Sequence, residues 1–93
     1  MEDILPTEFE LAQNYPNPFR DKTTIKYCVP VKMNIKLEVF DSNRNKIRVL
    51  VDEIKEAGTY KVEFKVKDME GGEYIYKLES RDYFESKKMI LMK

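Results

Sequence analysis

Alternation of apolar and polar residues is the main pattern along most of this chain. Four stretches place an apolar side chain at every second position and mostly charged or polar ones between them. Their apolar members are Ile25, Tyr27 and Val29; Ile35, Leu37 and Val39; Tyr60, Val62, Phe64 and Val66; and Tyr74, Tyr76 and Leu78. A period of two is typical of a β-strand with one buried face, so these residues are predicted to point inward.

Three further stretches complete the predicted set of strands. Ile47, Val49 and Val51 are expected to form another inward set, with Leu50 on the opposite face. A last strand is predicted at about residues 83–92, and a short one near residues 9–11. Turn residues recur at roughly the 8–12-residue spacing of a sandwich, and no segment keeps a helical period. The pattern therefore predicts an all-β, immunoglobulin-like antiparallel β-sandwich of six to seven strands.

The segment Gln13–Phe19 interrupts the alternation. It contains Pro16 and Pro18, each of which fixes its own backbone angle and pushes the preceding residue toward extended geometry. A stiff, largely extended segment is expected here, with Tyr15 and Phe19 as apolar anchors that pack on the sandwich.

The final segment, Lys88–Lys93, is unusually apolar for the end of a chain, with Met89, Ile90, Leu91 and Met92 in one run. Alternation predicts that Met89 and Leu91 face the core and that Ile90 and Met92 face the other way, where a partner can bury them. The alternative is that all four are covered within the domain. A terminal edge strand can also be recognised by addition of a partner strand.

Composition excludes several classes of function. The chain has 93 residues, enough for one domain, and its 17 basic and 17 acidic residues disfavour a nucleic-acid or anionic-membrane partner. The lack of histidine excludes Ser-His-Asp and Cys-His catalysis, and the single cysteine, Cys28, excludes the common zinc sites. We predict no enzymatic activity, no cofactor and no metal site. Five acidic residues are interpreted as solvated turn residues rather than calcium ligands: Asp41, Asp52, Glu53, Asp68 and Glu70.

Several motifs, taken in order, resemble the type A C-terminal sorting domain of the type IX (Por) secretion system. The opening motif is Phe9-x-Leu11-x-Gln13-Asn14-Tyr15-Pro16-Asn17-Pro18-Phe19, followed by Thr23-Thr24-Ile25. Val39-Phe40-Asp41 is similar to a strand end of that family, and Gly58-x-Tyr60 and Gly72-x-Tyr74 to its two Gly-x-Tyr strand starts. Lys88-Met89-Ile90-Leu91-Met92-Lys93 is similar to its terminal strand. Arg20-Asp21 and Arg44-Asn45 depart from the family pattern at two turns.

The resemblance implies a non-catalytic sorting signal at the end of a cargo protein. It implies that residues 9–93 are the sorting domain, that residues 1–8 are a linker to an upstream cargo, and that the outer-membrane translocon recognises the domain. The expected handles are the terminal strand and the proline segment, and we expect the secretion machinery to read residues 88–93. The cargo would pass through the periplasm and then be secreted or held at the cell surface. A sortase-like peptidase would remove the domain by cleavage within or just before residues 1–8.

Two other readings stay open at this stage. The pattern is also similar to the immunoglobulin-like domain of flagellar hook-capping proteins, which would make the chain a structural or accessory domain. A carbohydrate- or calcium-binding module is the third possibility. The first residues are acidic and no apolar signal-peptide core follows them, so an exported protein is expected to carry its leader upstream of this sequence.

Overall fold

The computed structural model describes residues 6–81 and 83–92, and these residues form seven β-strands in two antiparallel sheets. One sheet has the order β1-β2-β5 and the other the order β4-β3-β6-β7. The strands are β1 (Glu10–Leu11), β2 (Lys22–Val29), β3 (Met33–Phe40), β4 (Lys46–Lys55), β5 (Gly58–Lys65), β6 (Gly72–Glu79) and β7 (Phe84–Leu91). The predicted all-β sandwich is confirmed.

The core lies between the two sheets and is built from the alternating residues that the sequence pattern singled out. Side chains of β2 and β5 face those of β3, β6 and β7, and the largest fully buried ones include Tyr27, Tyr76, Phe19 and Phe64.

Cys28 lies on the outer side of β2, as its alternation with Tyr27 and Val29 predicts. It is nevertheless buried, with its Sγ 3.4 Å from Glu10 Oε1 and 3.5 Å from Thr59 Oγ1. Because these neighbours can hydrogen-bond to a hydroxyl as well as to a thiol, we expect Cys28→Ser to fold nearly normally.

Strand β4 departs from the prediction. Ile47 and Val49, expected to point inward, are 39% and 46% exposed. Leu50, expected on the opposite face, packs together with Val51 against the edge of the core. The predicted inward set of β4 is therefore wrong for Ile47 and Val49.

Register shifts between β3 and β4 explain this error. Leu37 pairs with Val51 but Glu38 pairs with Val49, which leaves Leu50 without a cross-strand partner. A second shift of the same kind lies near the start of β4. Each bulge inserts one residue and moves the following side chains to the other face, so alternation read along the sequence no longer reports burial.

Both Gly-x-Tyr motifs form the same local structure at the start of β5 and β6. The Tyr60 hydroxyl donates to the carbonyl of Glu56 at 2.7 Å, and the Tyr74 hydroxyl donates to the carbonyl of Glu70 at 2.6 Å. Each tyrosine thus fastens the chain four residues upstream to its own strand, which is the arrangement of the tyrosine corner in immunoglobulin-like sandwiches.

The two glycines of these motifs serve different purposes. Gly72 has a φ of 142°, a conformation that residues with a side chain rarely adopt. A Cβ on Gly58 would lie 3.6 Å from the Tyr60 hydroxyl, which is an ordinary contact distance. Only the second motif therefore requires glycine for its backbone.

Substitution of the two glycines should separate these purposes. Backbone strain of about 1–3 kcal/mol in Gly72→Ala should lower the melting temperature of the domain by at least about 5 °C. Gly58→Ala introduces no such strain, so its melting temperature should stay within about 3 °C of the parent or rise. Thermal unfolding followed by circular dichroism measures both, and an equal loss in the two variants would contradict this assignment.

Candidate functional site

The segment Gln13–Phe19, which we call the proline strap, runs from one sheet of the sandwich to the other. At Ala12 and in the first half of the strap, the backbone continues the pairing of β1 with β2. The Ala12 N–H donates to the carbonyl of Lys26, and Tyr15 and Thr24 exchange two N–H to carbonyl bonds, all at 2.9 Å. This half therefore belongs to the sheet that contains β5.

The end of the proline strap pairs instead with the terminal strand β7. The Phe19 N–H donates to the carbonyl of Ile90 at 3.0 Å, and the Met92 N–H donates to the carbonyl of Phe19 at 2.8 Å. These bonds form a parallel bridge between Phe19 and Leu91. The strap thus lies along the edge of β7 that faces away from β6.

Two strap side chains complete this contact. The Asn17 carboxamide oxygen accepts the Ile90 N–H at 2.9 Å, and the Gln13 carboxamide donates to the carbonyl of Lys88 at 2.6 Å. Together with the backbone bonds they occupy the edge of β7 from Lys88 to Met92. Addition of a partner strand along this stretch would first have to displace the strap.

A buried polar cluster holds the proline strap on the sandwich. Asn14 is 2% exposed, and its carboxamide donates to the carbonyl of Pro16 at 3.1 Å and to the Thr23 hydroxyl at 3.0 Å. The backbone N–H of Asn14 donates to the Tyr76 hydroxyl at 2.8 Å, and that hydroxyl donates to the carbonyl of Ala12 at 2.6 Å. Because each of these buried groups has a partner, the cluster fixes the path of the strap. Sequence reasoning missed Asn14 and Thr23, although both lie in the quoted motif.

The two aromatic residues of the proline strap differ in burial. Phe19 is 2% exposed, and its ring centroid lies 6.2 Å from that of Phe64, so its prediction as an anchor is confirmed. Tyr15 is 81% exposed, so the same prediction is wrong for Tyr15. Tyr15 pairs with Thr24, an outward-facing residue of β2, and paired residues share one face of a sheet. Its backbone pairing thus directs its ring into solvent.

Alanine substitution should distinguish the two aromatic residues. Phe19→Ala removes a buried ring at a cost of roughly 3–5 kcal/mol, so the melting temperature should fall by at least about 10 °C. Tyr15→Ala removes an exposed ring, and a shift of no more than about 4 °C is expected. Differential scanning calorimetry of both variants tests this, and a similar shift in the two would show that the strap is not anchored through Phe19.

The terminal strand presents its apolar residues on two faces. Met89 and Leu91 are 0% and 3% exposed and lie in the core, as alternation predicted. Ile90 is partly exposed and Met92 is 41% exposed, so the alternative that all four are covered is wrong. Lys93, the last residue of the predicted recognition segment, lies outside the described residues.

Ionisation of Tyr76 makes the attachment of the proline strap to the sandwich dependent on pH. Burial raises the pKa of Tyr76 to about 12, against an ordinary value of 10.0. A pKa raised by folding means that the hydroxyl contributes stability below pH 10 that is lost as pH rises toward 12. Ionisation also removes the proton that Tyr76 donates to the carbonyl of Ala12, so loss of stability should include loosening of the proline strap.

Urea unfolding at several pH values tests this link. The free energy of unfolding of the parent should fall between pH 10 and 12, by roughly 2–3 kcal/mol from this group alone. Tyr76→Phe should be less stable than the parent at pH 8, because the Asn14 N–H and the Ala12 carbonyl lose their partner. Its further loss between pH 10 and 12 should be smaller than that of the parent; an equally steep loss would contradict a role for Tyr76.

The acidic and cysteine side chains of the described residues do not cluster as metal ligands do. No group of three or more histidine, cysteine or acidic residues lies close enough to hold a metal ion among residues 6–81 and 83–92. Asp41 Oδ1 accepts the N–H groups of Asn43 and Asn45, both at 2.9 Å, and these bonds within the turn, above all those from Asn45, lower the pKa of Asp41. Within the same described part of the chain, no helix is long and apolar enough to span a membrane.

Comparison with known proteins adds a family assignment. The sequence model of the family described as "secretion system C-terminal sorting domain" matches residues 13–92. The chain belongs to this family of type IX secretion sorting domains. A comparison with curated proteins found no match.

The matched range follows the structure closely. It begins at Gln13, where the proline strap begins, and ends at Met92, the last residue that bonds to the strap. Membership of the family makes the chain a type IX C-terminal sorting signal, which implies an upstream cargo and a protein that is secreted or exported to the cell surface. Domains of this family are in general non-catalytic.

Proposed function

We propose that this chain directs a covalently attached upstream cargo from the periplasm through the outer-membrane type IX translocon and is afterwards removed by a sortase-like peptidase. The family match over residues 13–92 carries this proposal. Residues 9–93 form the sorting domain, residues 1–8 link it to the cargo, and the domain itself carries out no chemistry. The cargo is then released or held at the cell surface.

The segment Lys88–Lys93 is proposed to be read by the secretion machinery. Its support is the way the terminal strand is held. Met89 and Leu91 are buried in the core, and the proline strap bonds to the backbone edge of the strand. Ile90 and Met92 keep apolar surface in contact with solvent. Exposed apolar side chains on a rigid support are what a protein partner can bury.

Peptidase cleavage is proposed within or just before residues 1–8. Phe9 contacts the sandwich, since its ring stacks on that of Tyr83 with centroids 4.4 Å apart. Thr7 and Glu8, directly before it, are exposed. A cut upstream of Phe9 would therefore separate the cargo without unfolding the sandwich.

Export of a reporter tests the sorting function. The chain is fused behind a fluorescent protein that carries a periplasmic signal peptide, in a bacterium with a type IX system. The intact fusion should reach the cell surface or medium, and deletion of Lys88–Lys93 should retain it in the periplasm. Normal delivery of the deletion variant would exclude recognition through this segment, and periplasmic retention of the intact fusion would exclude the sorting function itself.

The deletion also removes Met89 and Leu91 from the core, so a second variant is needed to separate recognition from folding. Ile90→Asp places a charge on the outward side of the same strand. It should block export while the isolated domain still unfolds in one cooperative transition. Cooperative unfolding with undiminished export would show that Ile90 is not read.

A further inference from the structure

The outer faces of the two sheets differ in chemistry. On the β1-β2-β5 sheet, apart from the thiol of Cys28, every outward side chain of the three strands is polar or charged. These residues are Glu10, Lys22, Thr24, Lys26, Cys28, Thr59, Lys61, Glu63 and Lys65. The outer face of the β4-β3-β6-β7 sheet carries apolar side chains on all four strands. The two faces are therefore not equivalent as surfaces for a partner.

Four of these apolar residues lie along one oblique line across the sheet, which we call the apolar row: Val49, Phe40, Ile75 and Ile90. Each strand of the sheet contributes one member. Phe40 pairs directly with Ile75, while Val49 and Ile90 are their diagonal neighbours across the next strand on either side. A diagonal neighbour is within reach of an aromatic side chain such as that of Phe40. All four side chains are at least partly exposed.

Charges around the apolar row neutralise one another. Lys46 Nζ lies 2.6 Å from Glu38 Oε2, and these two residues are the cross-strand neighbours of Phe40 and Val49. At the other end, Lys88 Nζ lies 3.9 Å from an oxygen of Glu73. The Nζ of Lys77, in the middle of the sheet, lies 3.7 Å from Glu79 and 5.5 Å from the centre of the Phe40 ring. Because each of these charged side chains has an oppositely charged neighbour, the surface around the row carries little net charge. A partner would therefore recognise this surface mainly through its apolar side chains.

The geometry of the terminal strand connects the apolar row to the sorting function. Ile90, the end of the row, belongs to the segment Lys88–Lys93, and the proline strap already fills the edge of that segment. A partner that reads this segment in the folded domain must then use its outward side chains. Ile90 is the diagonal neighbour of Ile75, and Ile75 pairs with Phe40.

We propose that the apolar row is the docking surface through which the type IX machinery holds this domain, and that its partner is a protein surface that is apolar and carries little net charge. This inference rests on the proposed sorting function and specifies which surface performs it. Four side chains make a small contact, which fits a transient interaction better than a permanent one. A small interface suits a signal that must be released after transport.

Ile75 is the residue that tests the inference, because it lies on β6 and outside the terminal segment. Ile75→Thr keeps a β-branched side chain, and replaces apolar surface by a hydroxyl. Ile54→Thr is the matched control, since Ile54 is an outward residue of the same sheet, 63% exposed and paired with Asn34 far from the row. Val49→Thr, on the partly exposed edge strand, repeats the test at a position where folding is least affected.

Reporter export and thermal unfolding are measured for the parent and the three variants. Ile75→Thr and Val49→Thr should reduce surface delivery by roughly tenfold or more, as expected for loss of an interface anchor, while Ile54→Thr should not. All three should unfold cooperatively. Sedimentation of the purified domains should show monomers throughout.

Four results would overturn the inference. If the parent is exported and both row variants are exported equally well, the sorting function stands but the row is not its docking surface; a row that contacts only the natural cargo would give this result. An equal loss in Ile54→Thr would show a general effect of surface hydrophobicity. A dimer of the parent that Ile75→Thr dissolves would assign the row to a second copy of the chain. Retention of the parent fusion would remove the proposed function and the inference with it.

Discussion

The pairing of the proline strap with β7 holds the terminal strand in place. Without it, the terminal strand would bond only to β6 and its last residues would be free to fray, as chain ends commonly do. The strap binds the opposite edge with backbone bonds from Phe19 and side-chain bonds from Gln13 and Asn17. The end of the chain is thereby held between two neighbours, and its outward side chains have defined positions.

Burial of the Phe19 ring stabilises this pairing, and the polar cluster around Asn14 fixes its geometry. Hydrogen bonds at an exposed sheet edge contribute little net stability, because water competes for the same groups. The Phe19 ring, packed near Phe64 in the core, supplies the apolar burial that holds the strap down. The buried carboxamide of Asn14 and the Tyr76 hydroxyl then leave one path along which every polar group has a partner.

Tyrosine hydroxyls fasten irregular segments to strands at three places in this domain. Tyr60 and Tyr74 bond to carbonyls in the turns that precede their strands, and Tyr76 bonds to the carbonyl of Ala12 before the strap. Their rings contribute to the apolar packing, while their hydroxyls satisfy carbonyls that no strand partner reaches. A small domain whose only cysteine is free, Cys28, thus secures its turns through hydrogen bonds rather than covalent links.

Alternation along the sequence was enough to predict the class of fold, the positions of the strands and most of the core, because it leaves only one way to bury residues such as Tyr27, Leu37 and Tyr76. It also predicted which terminal residues face inward, Met89 and Leu91, and the sequence motifs pointed to the family that the comparison confirmed.

Three features could not be predicted from the sequence. Bulges in β4 left Ile47 and Val49 exposed rather than buried, because an extra residue in one strand leaves no mark in its own pattern. Tyr15 and Phe19 look alike in sequence, but the strand that each one pairs with turns the first outward and the second inward. Contacts between residues some 70 positions apart placed the proline strap on β7, and such long-range pairing depends on the folded shape rather than on any local pattern.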